Sequence, residues 1–312
     1  MTIAEKILHR INRPDLLQTL SEELTPSELN SLLLEVFDRR IQRLSPANLL
    51  QHYQKNRFVK PADLDVMRLR ELETRILQIF ETFQFRPVEL SPVAPLGSCS
   101  VVATADQKKV LSALRGTEVL ADATNALALH AADLKKSGQW QPTQPTDQLR
   151  LSTIQRHVRT PPVTVAGHTQ HFKIGCLVSS GRDTGNFQFE CESLAEHLAV
   201  MTAVLRDTLQ ISSLRFRFIQ RAGVDQGRLL DRVATHIRQL RKDLSIETDT
   251  APGRQNPYYK GLQYKILITV GGQEYEIGDG GFVDWTQQLL QNKKERFLIT
   301  GLGVEQLFRL VT

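Results

Sequence analysis

The stretch GLGVEQLFRL, from residue 301, sets Gly301 and Gly303 just ahead of an acid, Glu305, and an amide, Gln306. A β-prone run, Phe297 to Thr300, leads into it, and Val304 to Leu307 read as the opening of a helix. Glycines between a strand and a helix allow close approach of backbone to a ligand. Further back, RQNPYYKGLQYKI supplies Arg254, Tyr258 and Tyr259. A guanidinium forks onto carboxylate or phosphate. Adjacent tyrosines on a strand point to opposite faces, so one of the pair is expected to reach a ligand. The same residues also suit an aromatic strand edge with a surface arginine. In ADATNALALHAA, Asp122 and Thr124 can cap the helix that follows. Arg182 in GRDTG can meet a phosphate or simply tip a hairpin, and Gly280 and Gly281 in EIGDGGFVDW suit a turn. Other chemistries are poorly supplied. His168 and His171 (HTQH) lack a second ligand pair, so no metal is expected. There is no phosphate-binding Walker loop and no G-x-S-x-G elbow.

These groups are spread over elements that alternate in type. Three segments, TPSEL, SPANL and KPADL, repeat a proline-led helix start, which predicts helices from about residues 26, 46 and 61. Thr25 and Glu28 complete a capping box. The third helix is expected to run to Phe83, because Leu69, Leu72, Ile76, Ile79 and Phe83 alternate steps of three and four. FQFRPVELSPVAPL turns extended, with prolines that favour a sheet edge. QKKVLSAL and TEVLAD read as strands, and ATNALALHAADLKK as a helix. HFKIGCLVSS and NFQFEC read as paired strands joined by GRDTG, with a helix from Cys191 to Leu209. SLRFRFIQ, LQYKILITV, QEYEIGD and RFLIT are strands, DQGRLLDRVATHIRQLRKDL is an amphipathic helix, and a short helix follows residue 303. Hairpins mixed with helices imply an α+β fold with a largely antiparallel sheet.

The composition sets outer bounds. The chain has 312 residues, 41% hydrophobic and 23% charged, an ordinary globular mixture. Its three cysteines show no paired spacing, which points to a reduced, cytoplasmic setting. No apolar run reaches the ~18 residues of a membrane span. The formal charge of +5 permits contact with phosphate or nucleic acid, but the basic residues are scattered.

The order of long helix, proline-ended strand, strand–loop–strand unit and final glycine turn resembles the catalytic core of class II aminoacyl-tRNA synthetases. It is most similar to the histidyl branch, which includes the synthetase-like regulatory subunit of ATP phosphoribosyltransferase. The resemblance covers residues 65–312 and leaves residues 1–64 as an N-terminal helical region. Phe85, Val88 and Pro92 follow the first motif of that class, which implies a homodimer interface. Asp122 and Thr124 match an amino-acid-binding segment, implying a carboxylate that pairs with a substrate ammonium. Arg254, Tyr258, Tyr259 and Gly261 match R-x-x-x-Y-Y-x-G, implying an arginine on phosphate or carboxylate and tyrosines along the amino-acid pocket. Gly280, Gly281 and Asp284 match a G-G-G-R-Y-D hairpin, with Phe282 at its arginine position. Gly301, Gly303 and Glu305 match G-x-G-x-E-R, with Gln306 in place of the arginine that meets ATP. Laid on HFKIGCLVSSGRDTGNFQFE, the strand–loop–strand motif puts Ser179 where an α-phosphate arginine stands. It also places Arg182 in the loop and sets Glu190 or Glu192 at the side-chain end of the pocket.

Two missing charges at a transition-state phosphate cost orders of magnitude in rate. The resemblance therefore implies a catalytically degenerate synthetase-like protein that binds an amino acid or close analogue and acts by binding or by regulating a partner protein. One alternative is an ATP- and magnesium-dependent enzyme forming an acyl-adenylate, with Arg182 and Arg254 as its phosphate ligands. Another is an interaction scaffold without a ligand. Only seven residues follow Glu305, so no anticodon-binding domain is expected. The N-terminal helices carry no aromatic and basic platform for tRNA.

Overall fold

The computed structural model describes residues 1–163, 169–223, 225–251 and 256–311. It opens with four helices: α1 (Ile3–Arg10), α2 (Leu16–Gln18), α3 (Pro26–Ile41) and α4 (Pro46–Lys55). The proline-led starts hold for α3 and α4, where Thr25 and Ser45 each form a capping box. Among the described residues none of the first 60 is buried. The expected third start does not form. Residues 57–65 run as an irregular strap, and α5 (Val66–Thr82) begins where Asp65 accepts the Arg68 N–H at 3.1 Å. Of the apolar stripe predicted for this helix, Leu69, Leu72 and Ile76 are buried and Ile79 and Phe83 are partly buried against the same core, while Phe80, outside that stripe, is fully buried beside them.

The chain continues through β1 (Arg86–Pro87), β2 (Val93–Pro95), β3 (Thr117–Val119), α6 (Ala123–Lys136), β4 (Leu149–Val158) and β5 (His171–Arg182). Next come α7 (Gln188–Thr202), β6 (Leu214–Gln220), α8 (Gln226–Leu240), β7 (Ser245–Asp249), β8 (Leu262–Val270) and β9 (Gln273–Val283). The last elements are α9 (Trp285–Leu289), β10 (Glu295–Leu302) and α10 (Val304–Val311). Eight strands form one sheet in the order β1-β4-β5-β10-β9-β8-β6-β7, and β2 pairs with β3 in a small second sheet. The inner pairings are antiparallel, and only the two edge strands, β1 and β7, run parallel to their neighbours. Proline at the β1 edge costs no ladder bond. The architecture is the expected α+β, with helices against both faces of the sheet.

Alternation along β5 shows how the two faces are filled. Cys176 and Val178 join the α6 side, whereas Leu177 packs with α5 and α7 on the other. Three local readings are corrected. NFQFEC is not a returning strand: Asn186 and Phe187 take left-handed φ of 54° and 56° and turn the chain from β5 straight into α7. Its F-x-F-x-C alternation imitates a strand, but Leu194, Leu198 and Met201 continue it at helical spacing into the core. QKKVLSAL is a short turn of helix at Gln107–Lys109, with one isolated bridge at Ser112. The hairpin partner of β5 is β4, which the sequence conceals because its inward residues include Ser152, Thr153, Gln155 and His157. Most of these polar groups have fixed partners. Ser152 Oγ donates to Phe85 O, Gln155 Nε2 to Leu90 O, and His157 Nε2 accepts the Ala123 N–H at 2.8 Å.

Candidate ligand-binding site

A cavity of about 700 Å³ opens between the start of α6, strands β5, β9 and β10, and α10. Asp122 stands on its wall as the N-cap of α6. One carboxylate oxygen accepts the Thr124 N–H at 2.9 Å and the Thr124 hydroxyl at 2.7 Å. The other accepts the Tyr258 hydroxyl at 2.6 Å. Tyr259 donates in the same way to Asp279 at 3.0 Å, and Gln263 Nε2 adds a second donor at 2.9 Å. Burial, together with these nearby carboxylates, pushes both tyrosine hydroxyls well above their usual pKa, so they stay donors. The expectation that only one tyrosine reaches the site is corrected. The pair sits in a turn ahead of β8 and not on a strand, so strand alternation does not apply. Their rings pack edge to face at 4.8 Å, and both line the cavity.

Positive charge enters from the β4–β5 hairpin and from α10. Arg159, one residue beyond β4, donates its Nε to Ala121 O at 3.2 Å and holds its guanidinium 5.4 Å from the centre of the Phe172 ring. Arg156 Nη1 reaches Glu305 Oε2 at 3.2 Å, and Arg309 Nη2 lies 3.5 Å from Glu305 Oε1. Among the described residues neither Asp122 nor Arg159 forms an ion pair. The Arg159 Nε bond falls on the residue next to Asp122, so a carboxylate and a guanidinium, each without an ion pair among the described residues, are anchored to consecutive positions. Residues between Cys99 and Val110 also line the cavity. Buried Glu118 secures this segment by accepting N–H groups of Gly97 (2.9 Å) and Cys99 (2.8 Å) and Nε2 of Gln107 (2.9 Å). Burial opposes the charge on Glu118, but these donors prevail and hold its pKa below the usual carboxylate value.

Solved structures share this arrangement of elements. An ATP phosphoribosyltransferase regulatory subunit/histidyl-tRNA synthetase from Bacillus halodurans C superposes with a TM-score of 0.63 at 11% identity, over 83% of each chain. Apo histidyl-tRNA synthetase from S. aureus gives 0.61 at 13% identity, over 82% of this chain and 69% of that one. The fold is that of a class II synthetase core. Histidyl-tRNA synthetase from Nostoc sp. PCC 7120 shares it at 15% identity and a TM-score of 0.57, over 81% of this chain and 73% of that one. At these identities the likeness is one of fold. No family model and no curated protein matches the sequence.

Within this synthetase-like core the expected site residues divide. Asp122, Thr124, Tyr258, Tyr259, Gly301, Gly303 and Glu305 all line the cavity. Gln306 lines it too and donates its amide to Glu276 O at 3.3 Å. Arg254 and His168 lie outside the described residues. Gly280 and Gly281 are not on the cavity wall. A Cβ on Gly280 would come within 2.4 Å of Ile299 O, and one on Gly281 within 2.6 Å of Leu262 O, so close strand packing accounts for both glycines. Arg182 sits at the far end of β5 against Glu295, at 3.5 Å, beside a separate 280 Å³ hollow. Glu190 pairs with Arg296 at 3.0 Å, and Glu192 accepts Gln188 Nε2 at 2.9 Å, both on α7 and away from the cavity.

Ser179 is corrected most sharply. It faces α7, buried, with its hydroxyl 3.0 Å from His197 Nε2. It is not among the residues that line the cavity. The β4–β5 hairpin instead supplies Arg159, which lines the cavity together with Arg309 of α10. The signal for Arg159 was the QRHVRTPP stretch, a basic strand end stopped by two prolines.

Proposed function

We propose that this synthetase-like core binds a small zwitterion, an amino acid or a close analogue, and acts by binding or regulation and not by aminoacylation. The observation that carries this reading is the pair Asp122 and Arg159 on one open cavity. Each is fixed by hydrogen bonds, and each lacks an ionic partner among the described residues. A carboxylate suits an ammonium and a guanidinium suits a carboxylate. Together, at a fixed separation, they favour a molecule bearing both charges over a simple amine or acid. Neutral Gln306 supports a role without ATP chemistry. A regulatory subunit that covers the chain as fully as 83% in both directions supports a regulatory role.

Two charge-assisted hydrogen bonds, less the cost of association, correspond to dissociation constants of roughly micromolar to millimolar. An amino acid at saturating concentration should then raise the melting temperature by linkage. Asp122→Asn keeps a capping side chain and Arg159→Ala removes an exposed one, so both should melt near the wild type without ligand. Each should lose the ligand-dependent rise. A rise that persists in both variants, or its absence in the wild type with every standard amino acid, counts against the reading.

A second reading, acyl-adenylate formation, draws on Arg159 and Arg309, which line the cavity together with Lys109 and Lys173. Amino-acid-dependent exchange of pyrophosphate into ATP separates it from the first, which expects none.

A further inference from the structure

The N-terminal helices touch the core where the cavity opens. On one rim, the α3 residue Asn30 accepts the Arg115 N–H through Oδ1 at 2.8 Å, in the turn that follows the cavity residues Lys109 and Val110. On the other rim, Arg57 Nη2 donates to Thr160 O at 2.7 Å, beside Arg159 and the cavity residue Pro161. Three residues on, Lys60 O meets His171 Nε2 at 2.5 Å. The direction of that bond follows from its neighbour. Arg156 Nη1 lies 2.8 Å from His171 Nδ1 and can only donate, so Nδ1 accepts and Nε2 carries the proton to Lys60 O. The same Arg156 nitrogen reaches Glu305 on the cavity wall. Lys60 is tied back to α4 by its ammonium, 4.1 Å from the centre of the Tyr53 ring.

The span from α3 to the strap therefore touches the core beside two separate segments that line the cavity, one at Lys109–Val110 and one at Arg159–Pro161. We infer that the N-terminal helices form a strap across the mouth of the cavity, coupling the Lys109–Val110 rim to the Arg159 rim and setting how far the two part to admit a ligand. What enters rests on the zwitterion-binding reading; the coupling of the rims does not. Among the described residues none of the first 60 is fully buried, and none belongs to the hydrophobic core. Their contacts with the rims are discrete hydrogen bonds, which a partner binding the helices can make or break.

The test is amide hydrogen exchange on the full chain, comparing wild type with Asn30→Ala and Arg57→Ala. Coupling predicts a cross effect. Asn30→Ala speeds exchange at Arg159, whose N–H bonds Gln170 O across the hairpin, and Arg57→Ala speeds it at Val110 and Arg115. Loss of one such hydrogen bond corresponds to roughly fivefold faster opening. Asn30→Asp, which keeps the acceptor, should behave as wild type. Exchange in β6 and β8, remote from the mouth, should not change. If each variant loosens only its own rim, or if exchange rises evenly over the whole sheet, the strap is a local attachment and the inference falls. With an amino acid bound, both alanine variants should also release it faster. Should the wild type bind no amino acid, the zwitterion reading fails, while the exchange data still decide the strap.

Discussion

Asp122 uses its two oxygens differently. One closes the first turn of α6 through Thr124, and the other takes the Tyr258 hydroxyl, while the residue still lines the cavity. Capping and ligand binding, which seem to compete in the sequence, are compatible here because a carboxylate accepts several donors. Tyr258→Phe tests this division. It removes one donor but leaves the cap and the charge, so stability should drop by roughly 1–2 kcal/mol while a ligand-dependent rise in melting remains. Urea unfolding and ligand melting curves on one sample check both halves, and loss of ligand response would mean the hydroxyl itself contacts the ligand. The residues of this pair were readable because each belongs to a short local pattern. Arg159 was not, because its place depends on β4 pairing with β5 across the hairpin, and β4 hides behind polar inward residues. Glu190 was misread for the opposite reason. A three-residue alternation looked like a strand, and left-handed Asn186 and Phe187 turned it into a helix.

At the level of elements, α7 is pinned to the sheet by a buried polar chain. His197 Nε2 faces Ser179 Oγ at 3.0 Å and its Nδ1 faces Thr300 Oγ1 at 2.5 Å, while the Tyr264 hydroxyl bonds the same threonine. Burial lowers the His197 pKa to about 3 and that of His157, at the head of α6, to about 4. An unfolded chain titrates these groups near 6.5. Both are thus neutral in the fold and ready to take protons only when it opens. Their contribution to stability is complete above pH ~6.5 and is lost as pH falls toward the folded values, by up to roughly 1.4 kcal/mol per pH unit for each histidine. Urea unfolding at pH 7.5 and at pH 5 should show a clear loss at the lower pH, and His197→Asn should flatten the dependence. Equal stability at both values contradicts neutral burial. The strands and helices themselves were legible wherever apolar periodicity is clean, as in α5, α8, β6, β8 and β10. They were missed where charge or buried polarity breaks it, as in β4 and the edge strand β7.

For the whole molecule, an α+β core with a mostly antiparallel sheet was legible from the order of its elements. The path of residues 57–65 was not, because contacts with distant Thr160 and His171 outweigh a local helix signal. Val93, Leu96 and Val101 lie 37%, 52% and 76% exposed along the segment after α5. Val93 ends the segment, FRPVELSPV, whose resemblance implies a dimer interface, Leu96 and Val101 follow it, and an isologous dimer is proposed to cover them. Light scattering at micromolar concentration should return twice the 35.3 kDa of the chain, and a monomer would rule this out. In described helices no segment is long and apolar enough to cross a membrane. The central claim is that Asp122 and Arg159 together select a zwitterion, and titration calorimetry tests it most directly. An amino acid found to stabilise the protein is titrated beside its decarboxylated amine and its deaminated acid. The account predicts micromolar to millimolar binding of the amino acid and at least roughly tenfold weaker binding of each analogue, since each forfeits one charged hydrogen bond. Asp122→Asn should then erase the preference over the deaminated acid, and Arg159→Ala the preference over the amine. Equal affinity for all three compounds, or preferences that survive both substitutions, would contradict it.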